Sequence, residues 1–557
     1  MARRRPVSKF IILTLTTLIA YLSISSLLRA VKPSLFVWSE EDLEEAEWLA
    51  TSKSWWDRKF CRFFGLCGIA HVRLSRANSG PPSRTLDQMP IDGQDDSWRM
   101  DWISAEDLSA NWTNREKVLR EVPEYVLEYA PLVYLFSGEN FWPGDIAEHL
   151  VYTTPMLNYT PVQAKWEHPT LQDLNRLNRW ESGKHVYLTS DDDVENRPEW
   201  LGGERNIPVP QPGTPKEPEE PEDDKPGNTP VFNEDDDRGK WYDAGSWDDN
   251  VDAHSVDPEE PESISSDSHV VVEELRKRYG GKPINIAAGA DRGRSDAPAF
   301  LVVVDKGNDI VDAFWFFFYS YNLGNAVFDV RFGNHVGDWE HTMVRFYKGH
   351  PKALFLSAHT AGEAYSYEAV EKQGKRPVVY SATGTHAMYA TPGIHEYVLP
   401  WGLLLDQTDR GPLWDPLLNS HYYTYNYLTD VLRASNLNPS APTEWFFFNG
   451  HWGDKFYPLG DPRQYRFAGQ YHYVNGPLGP RFKHLGRRKV CQGRYTSSCV
   501  IRNFVEEEKR SKRWVGVGVG EEPEDEELSS IIGRRTDWLM MNGINPAEVQ
   551  SDGTEFR

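Results

Sequence analysis

An uncharged apolar stretch of 19 residues, at positions 10–28, is the first strong pattern in the chain. As a helix rising about 1.5 Å per residue, it would span roughly 28 Å, close to the thickness of a bilayer core. The four basic residues within positions 1–9 favour a cytosolic amino terminus by the positive-inside rule. We predict a single-pass signal-anchor, with a cleaved signal peptide as the alternative. Both interpretations place the bulk of the protein in the lumen of the secretory or vacuolar system.

Beyond residue 129, short segments rich in Val, Phe and Tyr alternate with Gly and Pro turns. Residues 300–304 and 312–321, for example, flank the pair Gly307-Asn308, which is typical of a hairpin turn. The run at 314–321 is too short to cross a membrane and fits a buried strand. The pattern predicts a mainly β fold, an antiparallel β-sandwich with a few peripheral helices.

Helical signals and a concentration of charge complete the predicted organisation. Ser39 can cap a helix within residues 38–60, and Thr113 with Glu116 forms a capping-box pattern. Residues 191–262 carry 24 acidic and 6 basic residues, and this proline-rich segment has too little apolar content to fold alone. The predicted parts are a cytosolic tail (1–9), a transmembrane anchor (10–28), a juxtamembrane helical and linker region (29–128), a β-rich domain (129–503) with a disordered acidic insert (191–262), and a charged flexible tail (504–557).

The charge of the insert changes how the net charge of −23 is interpreted. The insert contributes −18 of that total, so the rest of the chain carries only −5. No basic face or aromatic-basic module stands out, and we therefore expect no nucleic-acid partner.

Two features agree with a lumenal domain. Asn111 and Asn158 begin glycosylation sequons, which are meaningful only on the lumenal or extracellular side. Four cysteines form the local pairs Cys61/Cys67 and Cys491/Cys499, which favours two small disulfide loops over four buried thiols. The cysteine spacing does not match a zinc site.

Residues 333–341 concentrate potential ligands and acid–base groups. If a strand begins near Asp338, alternation places Asp338 and Glu340 on one face, with His335 reaching in from the preceding loop. His359 and His386 are further candidates. Such oxygen ligands with an imidazole suit a hard divalent cation such as Mg²⁺ or Ca²⁺. The alternatives are a hydrogen-bonded structural network and, less favoured, catalysis.

Motifs for nucleophilic catalysis and phosphate binding are missing from the sequence. It has no Gly-x-Ser-x-Gly elbow, no Gly-Lys-Ser/Thr phosphate loop and no His-Glu-x-x-His helix. A turn-rich block at 449–454 can line the same end of the sheet as residues 333–341, although a plain loop with an aromatic plug is favoured. We expect a non-enzyme rather than an enzyme.

Four motifs in order, at 130–134, 337–341, 383–389 and 449–454, resemble the fungal vacuolar protein sorting-associated protein 62 family. The resemblance covers about 370 residues, from 129 to 503, apart from the acidic insert. It implies a part in delivering proteins to the vacuole.

A looser resemblance is to the necrosis- and ethylene-inducing-like proteins, β-sandwiches whose Gly-His-Arg-His-Asp-Trp-Glu motif holds a divalent cation. His335, Asp338, Trp339 and Glu340 match that motif, but Val336-Gly337 stands where that family has Arg-His. The resemblance implies a cation site without implying lytic activity.

Together, these features predict a membrane-anchored vacuolar sorting factor with a lumenal β-sandwich that binds a divalent cation. The alternatives are a metal-dependent lipid- or glycan-binding module and a metal-dependent hydrolase. The expected partners are the membrane and a lipid, a glycan or a cargo protein.

Overall fold

The computed structural model describes residues 39–73, 96–102, 109–164, 167–210, 238–244, 292–359, 361–396, 404–492, 499–503 and 505. The predicted cytosolic tail, the predicted anchor at 10–28 and nearly all of the predicted tail at 504–557 lie outside these residues. Within the described ranges, no helix combines the length and the apolar character needed to cross a bilayer.

The described helices are few and short. The α-helices are α1 (Glu40–Thr51), α2 (Trp55–Phe64), α3 (Asn114–Leu119), α4 (Glu124–Glu128), α5 (Ile146–Val151), α6 (Glu199–Gly202) and α7 (Arg238–Trp241). Short 3-10 helices lie at Ile69–His71, Asp96–Trp102, Ser109–Asn111, Leu174–Arg179, Glu181–Gly183, Val194–Asn196, Glu204–Asn206, Tyr367–Ala369, Pro416–Leu418, Glu444–Phe447 and Pro480–Phe482.

Most of the regular structure consists of strands. In chain order they are β1 (Leu66–Cys67), β2 (Leu132–Tyr134), β3 (Thr153–Leu157), β4 (Thr160–Pro161), β5 (Val186–Ser190), β6 (Val209–Pro210), β7 (Arg292–Arg294), β8 (Ala299–Gly307), β9 (Ile310–Asn322), β10 (Ala326–Val327), β11 (Val330–Arg331), β12 (His335–Tyr347), β13 (His350–Ala358), β14 (Ala361–Ser366), β15 (Lys372–Gln373), β16 (Arg376–Ser381), β17 (Met388–Tyr389), β18 (Gly393–Glu396), β19 (Leu405–Thr408), β20 (Leu413–Trp414), β21 (Ser420–Asn426), β22 (Val431–Ala434), β23 (Arg466–Phe467), β24 (Gln470–Tyr471) and β25 (Ile501–Arg502). The prediction of a mainly β fold with few helices is confirmed.

An eight-stranded sheet, ordered β22-β21-β8-β9-β12-β13-β14-β25, forms the centre of the fold. Its strand β9 contains the apolar run predicted as a buried strand, and successive side chains of that run enter two different cores. Phe314, Phe316 and Phe318 pack beside α5, whereas Trp315 and Phe317 pack on the opposite face. Because both faces are covered, the strand is apolar at nearly every position rather than at alternate ones.

A second sheet covers one face of the first. Its seven strands follow the order β15-β16-β2-β20-β7-β6, with β17 paired to β16. Val133, Val379 and Trp414 from this sheet share a core with Trp315 and Phe317. The pairings β21–β8, β14–β25, β16–β2 and β20–β7 are parallel, so the predicted antiparallel arrangement holds only for the remaining pairs of these sheets. The parallel pairs join strands that are distant in sequence, which tight hairpins cannot connect.

The region predicted as juxtamembrane packs on this domain through α1 and α2. The helical pattern over 38–60 divides into these two helices, and Ser39 and Ser54 cap their amino ends. Arg466 holds α1 through Glu45, at 2.7 Å. The capping box of Thr113 is formed. Both predicted disulfides, Cys61–Cys67 and Cys491–Cys499, are also formed.

Two segments of the predicted disordered insert are folded, which corrects that expectation. Residues 191–210 form α6 and β6 and bury Trp200, and residues 238–244 bury Trp241 in the core beside α5. The carbonyl oxygen of Trp241 also accepts a hydrogen bond from Arg345. These segments bury a tryptophan each against the domain, so they fold there although their composition would not let them fold alone. The rest of the predicted insert lies outside the described residues.

Candidate functional site

Strand β12 carries the predicted constellation and fixes the face that each residue occupies. Trp339 lies in the core beside α5, with its ring centroid 5.5 Å from that of Trp452. Asp338 bonds instead to His386, near the end of the second sheet. Successive side chains of β12 therefore point to opposite faces, as the alternation of a strand requires.

Asp338 and His386 form a buried pair. Oδ2 of Asp338 lies 2.9 Å from Nδ1 of His386, and Nε2 of His386 lies 2.9 Å from the carbonyl oxygen of Phe141. The His386 ring stacks on Tyr319 at a centroid distance of 3.7 Å. Since a carbonyl oxygen can only accept, Nε2 carries a hydrogen, and Nδ1 shares a hydrogen with the carboxyl group. Both ring nitrogens are thus hydrogen-bonded within the protein.

Glu340 and His335 bond to different groups. The Ser357 hydroxyl on β13 donates to Oε2 of Glu340. Nδ1 of His335 donates to the carbonyl oxygen of Gly337 at 2.6 Å. Burial lowers the pKa of His335, although the nearby Asp338 charge acts to raise it. His335 is thus the first residue of β12 rather than part of a preceding loop, and it contacts the backbone of its own strand, whereas Glu340 is bonded to the neighbouring strand β13.

His359 belongs to a second network, centred on Asp406. Its Nε2 lies 2.7 Å from Oδ2 of Asp406, which also accepts the Tyr389 hydroxyl at 2.6 Å. Thr385 and Asn325 bond to Oδ1 at 2.9 and 3.2 Å. Burial by itself would raise the pKa of Asp406, but the His359 charge and these hydrogen bonds lower it overall. The carboxylate is therefore ionised, and its hydrogen bonds connect the neighbouring segments that carry these four side chains.

The predicted metal ligands His335, Asp338, Glu340, His359 and His386 consequently do not converge. Within the described ranges, no three of their ligand atoms lie within 4.8 Å of one another. The triad that does so in the described chain is Glu45 with Cys61 and Cys67, and the disulfide consumes both thiols. The five residues therefore do not surround one point together, and divalent-cation binding by a smaller set of them, completed by water, stays a prediction.

The sequence did not predict which groups hydrogen-bond to these side chains. Asp406 lies on β19, where burial alternates along the strand, and that alternation is the signal that could have marked it as inward-facing. Ser357 and the Phe141 carbonyl group carry no comparable signal. Glu139, whose carboxylate accepts the Gly384 amide at 2.9 Å, was equally unmarked.

The turn-rich block at 449–454 does line the same end of β12. A Cβ atom on Gly337, where φ is +69°, would lie 1.9 Å from the carbonyl oxygen of Trp452, and one on Gly453 would lie 1.8 Å from that of Val336. Only glycine allows the two backbones to meet this closely. Burial raises the pKa of Asp454 in this block to about 6, although hydrogen bonds from Tyr457 and the Ser190 amide lower it. The block is a packed loop, as favoured above.

Comparisons with known proteins can be set against this geometry. The profile of the vacuolar protein sorting-associated protein 62 family matches residues 307–400, which include β9, β12 and β17. The protein of that name from Saccharomyces cerevisiae is 31% identical over 495 residues, which cover 82% of this chain and 85% of the yeast protein. TDA6 of the same yeast, whose vacuolar protein sorting assignment is provisional, is 36% identical over 405 residues, covering 67% of this chain and 69% of its own length.

Two solved structures show weaker similarity. Necrosis and Ethylene inducing Protein 2, from the causal agent of cocoa's Witches Broom disease, is 15% identical over 20% of this chain and 52% of its own, with a TM-score of 0.14. A second, described as a toxin fold for microbial attack and plant defense, is 16% identical over 25% of this chain and 61% of its own, also with a TM-score of 0.14. These scores carry no inference about the fold or the site. The two yeast relatives, in contrast, are 31% and 36% identical over more than two thirds of their own lengths. The chain therefore belongs to the vacuolar protein sorting-associated protein 62 family.

Proposed function

We propose that this protein acts in vacuolar protein sorting as a non-catalytic factor, with its folded β domain in the lumen and residues 10–28 as its membrane anchor. The observation that carries the proposal is the relationship to two yeast proteins named for vacuolar protein sorting, over 69% and 85% of their lengths. The role comes to this chain from those names and that coverage.

The internal contacts of the candidate site support a non-catalytic role. A general acid or base must reach a substrate, but both ring nitrogens of His386 are bonded within the protein. The Asp406 carboxylate accepts four hydrogen bonds from neighbouring side chains. Neither group has free capacity for proton transfer, and the separation of the five predicted ligands equally argues against a metal-dependent hydrolase.

Two features support the lumenal placement. Both cysteine pairs form disulfides, which persist in oxidising compartments. Asn111 is exposed, so its sequon is open to glycosylation. Asn158 is half-buried, and its side-chain oxygen accepts a hydrogen bond from Lys455 at 2.6 Å, which leaves the amide nitrogen that carries a glycan. We expect Asn111 to be the more fully modified of the two.

Complementation in yeast tests the sorting role. A Saccharomyces cerevisiae strain lacking both relatives should release a vacuolar hydrolase into the medium, and expression of this chain should restore its retention. A chain with Asn111→Gln and Asn158→Gln reports glycosylation through its gel mobility and serves as the topology control. Normal hydrolase retention in the double-deletion strain, or no rescue by a chain that is expressed and glycosylated, would overturn the proposal.

A second candidate function, binding to a lipid surface, is favoured by α2. This helix exposes Trp55, Trp56 and Phe64 by 53, 67 and 54%, beside the cationic side chains of Arg58 and Lys59. Aromatic rings next to basic groups are typical of helices that lie at a membrane interface. Because the predicted anchor would itself bind the full chain to vesicles, vesicle binding alone cannot report contact by α2. The measurement is therefore quenching of tryptophan fluorescence by brominated lipid in the reconstituted full chain.

The matched variants for that measurement are chosen by exposure. Trp55→Phe with Trp56→Phe should remove most of the quenching, because the remaining described tryptophans are mostly buried in the domain. Trp180→Phe, which removes a ring that is 37% exposed and far along the chain, should leave it unchanged. Equal quenching in both variants would show that α2 does not contact the lipid.

A further inference from the structure

An open pocket beside the start of β12 lies outside both networks described above. Its walls come from separate parts of the chain: the 3-10 helix at Val194–Asn196, the ends of β9 and β11, and the segment after β24. The polar residues that line it and that matter here are Glu195, Arg197, Arg331, Asn334, His472 and Tyr473.

The carboxylate of the pocket, Glu195, already has partners within the protein. Glu195 accepts the Tyr473 hydroxyl at 2.7 Å, and lies 3.5 Å from Nε2 of His472 and 3.3 Å from a guanidinium nitrogen of Arg73. Burial acts to raise the pKa of Glu195, but these partners lower it overall. Glu195 therefore remains ionised with its charge directed at His472 and Arg73, and it has no ion pair with the other arginines.

Two further guanidinium groups share the pocket without a carboxylate partner among the described residues. Arg331 donates to the carbonyl oxygen of Gly324, and Arg197 lies over the Phe141 ring at 5.8 Å. Burial lowers the pKa of Arg331, and the positive charge of Arg197 contributes in the same direction. In a chain with a net charge of −23, two neighbouring cations that repel each other are a conspicuous local arrangement.

A buried amide supplies a third donor. Asn334 is only 2% exposed, and its side-chain oxygen accepts the Gly324 amide at 2.9 Å. The same side chain lines the pocket, where its amide nitrogen is placed to donate to a bound ligand.

We propose that this pocket binds a phosphate monoester through the guanidinium groups of Arg197 and Arg331 and the amide of Asn334. A guanidinium group can donate two parallel hydrogen bonds to two oxygens of a phosphate group. A phosphate dianion also balances the charges of both arginines, whereas a single carboxylate would balance only one of them. The same chemistry is offered by a free phosphate and by a lipid head group such as phosphatidic acid. The proposal is independent of the sorting role and of lipid contact by α2.

Calorimetric titration of the full chain in detergent with inorganic phosphate tests the site. Arg197→Gln and Arg331→Gln should each weaken phosphate binding by about tenfold or more, the fold-change expected for losing one charge-assisted contact. Arg179→Gln removes the same charge from an exposed residue outside the pocket and should bind like the wild type. The Arg197 side chain makes no hydrogen bond within the described protein, so Arg197→Gln remains informative if Arg331→Gln fails to fold.

Vesicle binding and control titrations identify the source of the phosphate group and the results that would contradict the proposal. Binding to phosphatidylcholine vesicles containing phosphatidic acid, lost in Arg197→Gln but kept in the Trp55→Phe/Trp56→Phe variant, would assign a lipid head group. Phosphate binding without that vesicle effect would assign a free phosphate monoester. No heat of phosphate binding at millimolar concentration, equal binding by the wild type and Arg197→Gln, or acetate binding as tight as that of phosphate would overturn the proposal.

Discussion

Substituting Asp338 distinguishes a structural network from a metal site. Asp338→Ala removes the acceptor of the His386 Nδ1–H, which is otherwise 2.9 Å away in a buried environment. Leaving a buried polar hydrogen of this ring without its acceptor costs about 3 kcal/mol of unfolding free energy. Asp338→Asn keeps an oxygen at the same position, so only the charge assistance is lost, which is worth about 1–2 kcal/mol. A smaller loss of unfolding free energy in Asp338→Asn than in Asp338→Ala therefore indicates that Asp338 acts as a hydrogen-bond acceptor.

The assay is urea unfolding of the full chain in detergent, followed by tryptophan fluorescence, with and without a chelator. If the network is structural, the chelator leaves the wild-type midpoint unchanged, and the Asn variant lies between the wild type and the Ala variant. A wild-type midpoint that falls on chelation, together with an Asn variant that no longer responds to the chelator, would refute the reasoning and restore the metal site. Asp296→Ala, which changes an exposed carboxylate, controls for the loss of one negative charge.

Three further changes give distinct expectations, all measured by urea unfolding. Gly337→Ala should cost about 4 kcal/mol or more because its Cβ would meet the Trp452 carbonyl oxygen, whereas Gly333→Ala, with a φ of +82° and open space, should cost only about 1 kcal/mol. Asp145, whose pKa burial raises to about 7, holds a proton in the folded state that the unfolded state releases near the ordinary aspartate pKa of 3.8. Wild-type stability should therefore fall as pH rises between these values, and the gain from Asp145→Asn should grow by about 1.4 kcal/mol per pH unit, so a constant gain would contradict this assignment. Burial lowers the pKa of His341 well below 6.5, so His341→Leu should reduce the loss of stability on acidification below pH 6.5, and an unchanged pH profile would contradict it.

Local patterns in the sequence predicted local structure well. The capping pattern at Thr113, the N-cap at Ser39 and the buried strand containing Phe314 all follow from residues close together in the chain. The two disulfides also belong to this class, since their cysteines are 6 and 8 positions apart. In each of these cases the deciding interaction lies within about one helical turn or one strand pair.

The long-range contacts could not be predicted in the same way. Alternation correctly placed Asp338 and Glu340 on one face of β12, but a shared face does not specify a shared partner. Asp338 is held by His386, 48 positions away, and Glu340 is held by Ser357 on the next strand. The parallel pairing of β2 with β16 has the same origin, because it joins residues near 132 to residues near 378. No period within a single segment carries that information.

The acidic insert shows how composition can mislead when a core is nearby. Composition predicts disorder because the segment cannot bury enough apolar surface on its own, yet Trp241 fills a place in the core beside α5. The buried Arg345 explains why this place is filled: it pairs with Asp312 at 2.7 Å and still has donors to spare. The carbonyl oxygens of Trp241 and Tyr242 accept from those donors, so the segment satisfies a buried cation as well as burying a ring. The Arg488 carbonyl oxygen accepts from the same guanidinium nitrogen at 2.7 Å, so residues 238–244 and the segment around Arg488 satisfy this buried cation together. A buried guanidinium with too few acceptors costs free energy, and therefore residues 238–244 are a structural part of the domain rather than an appendage to it.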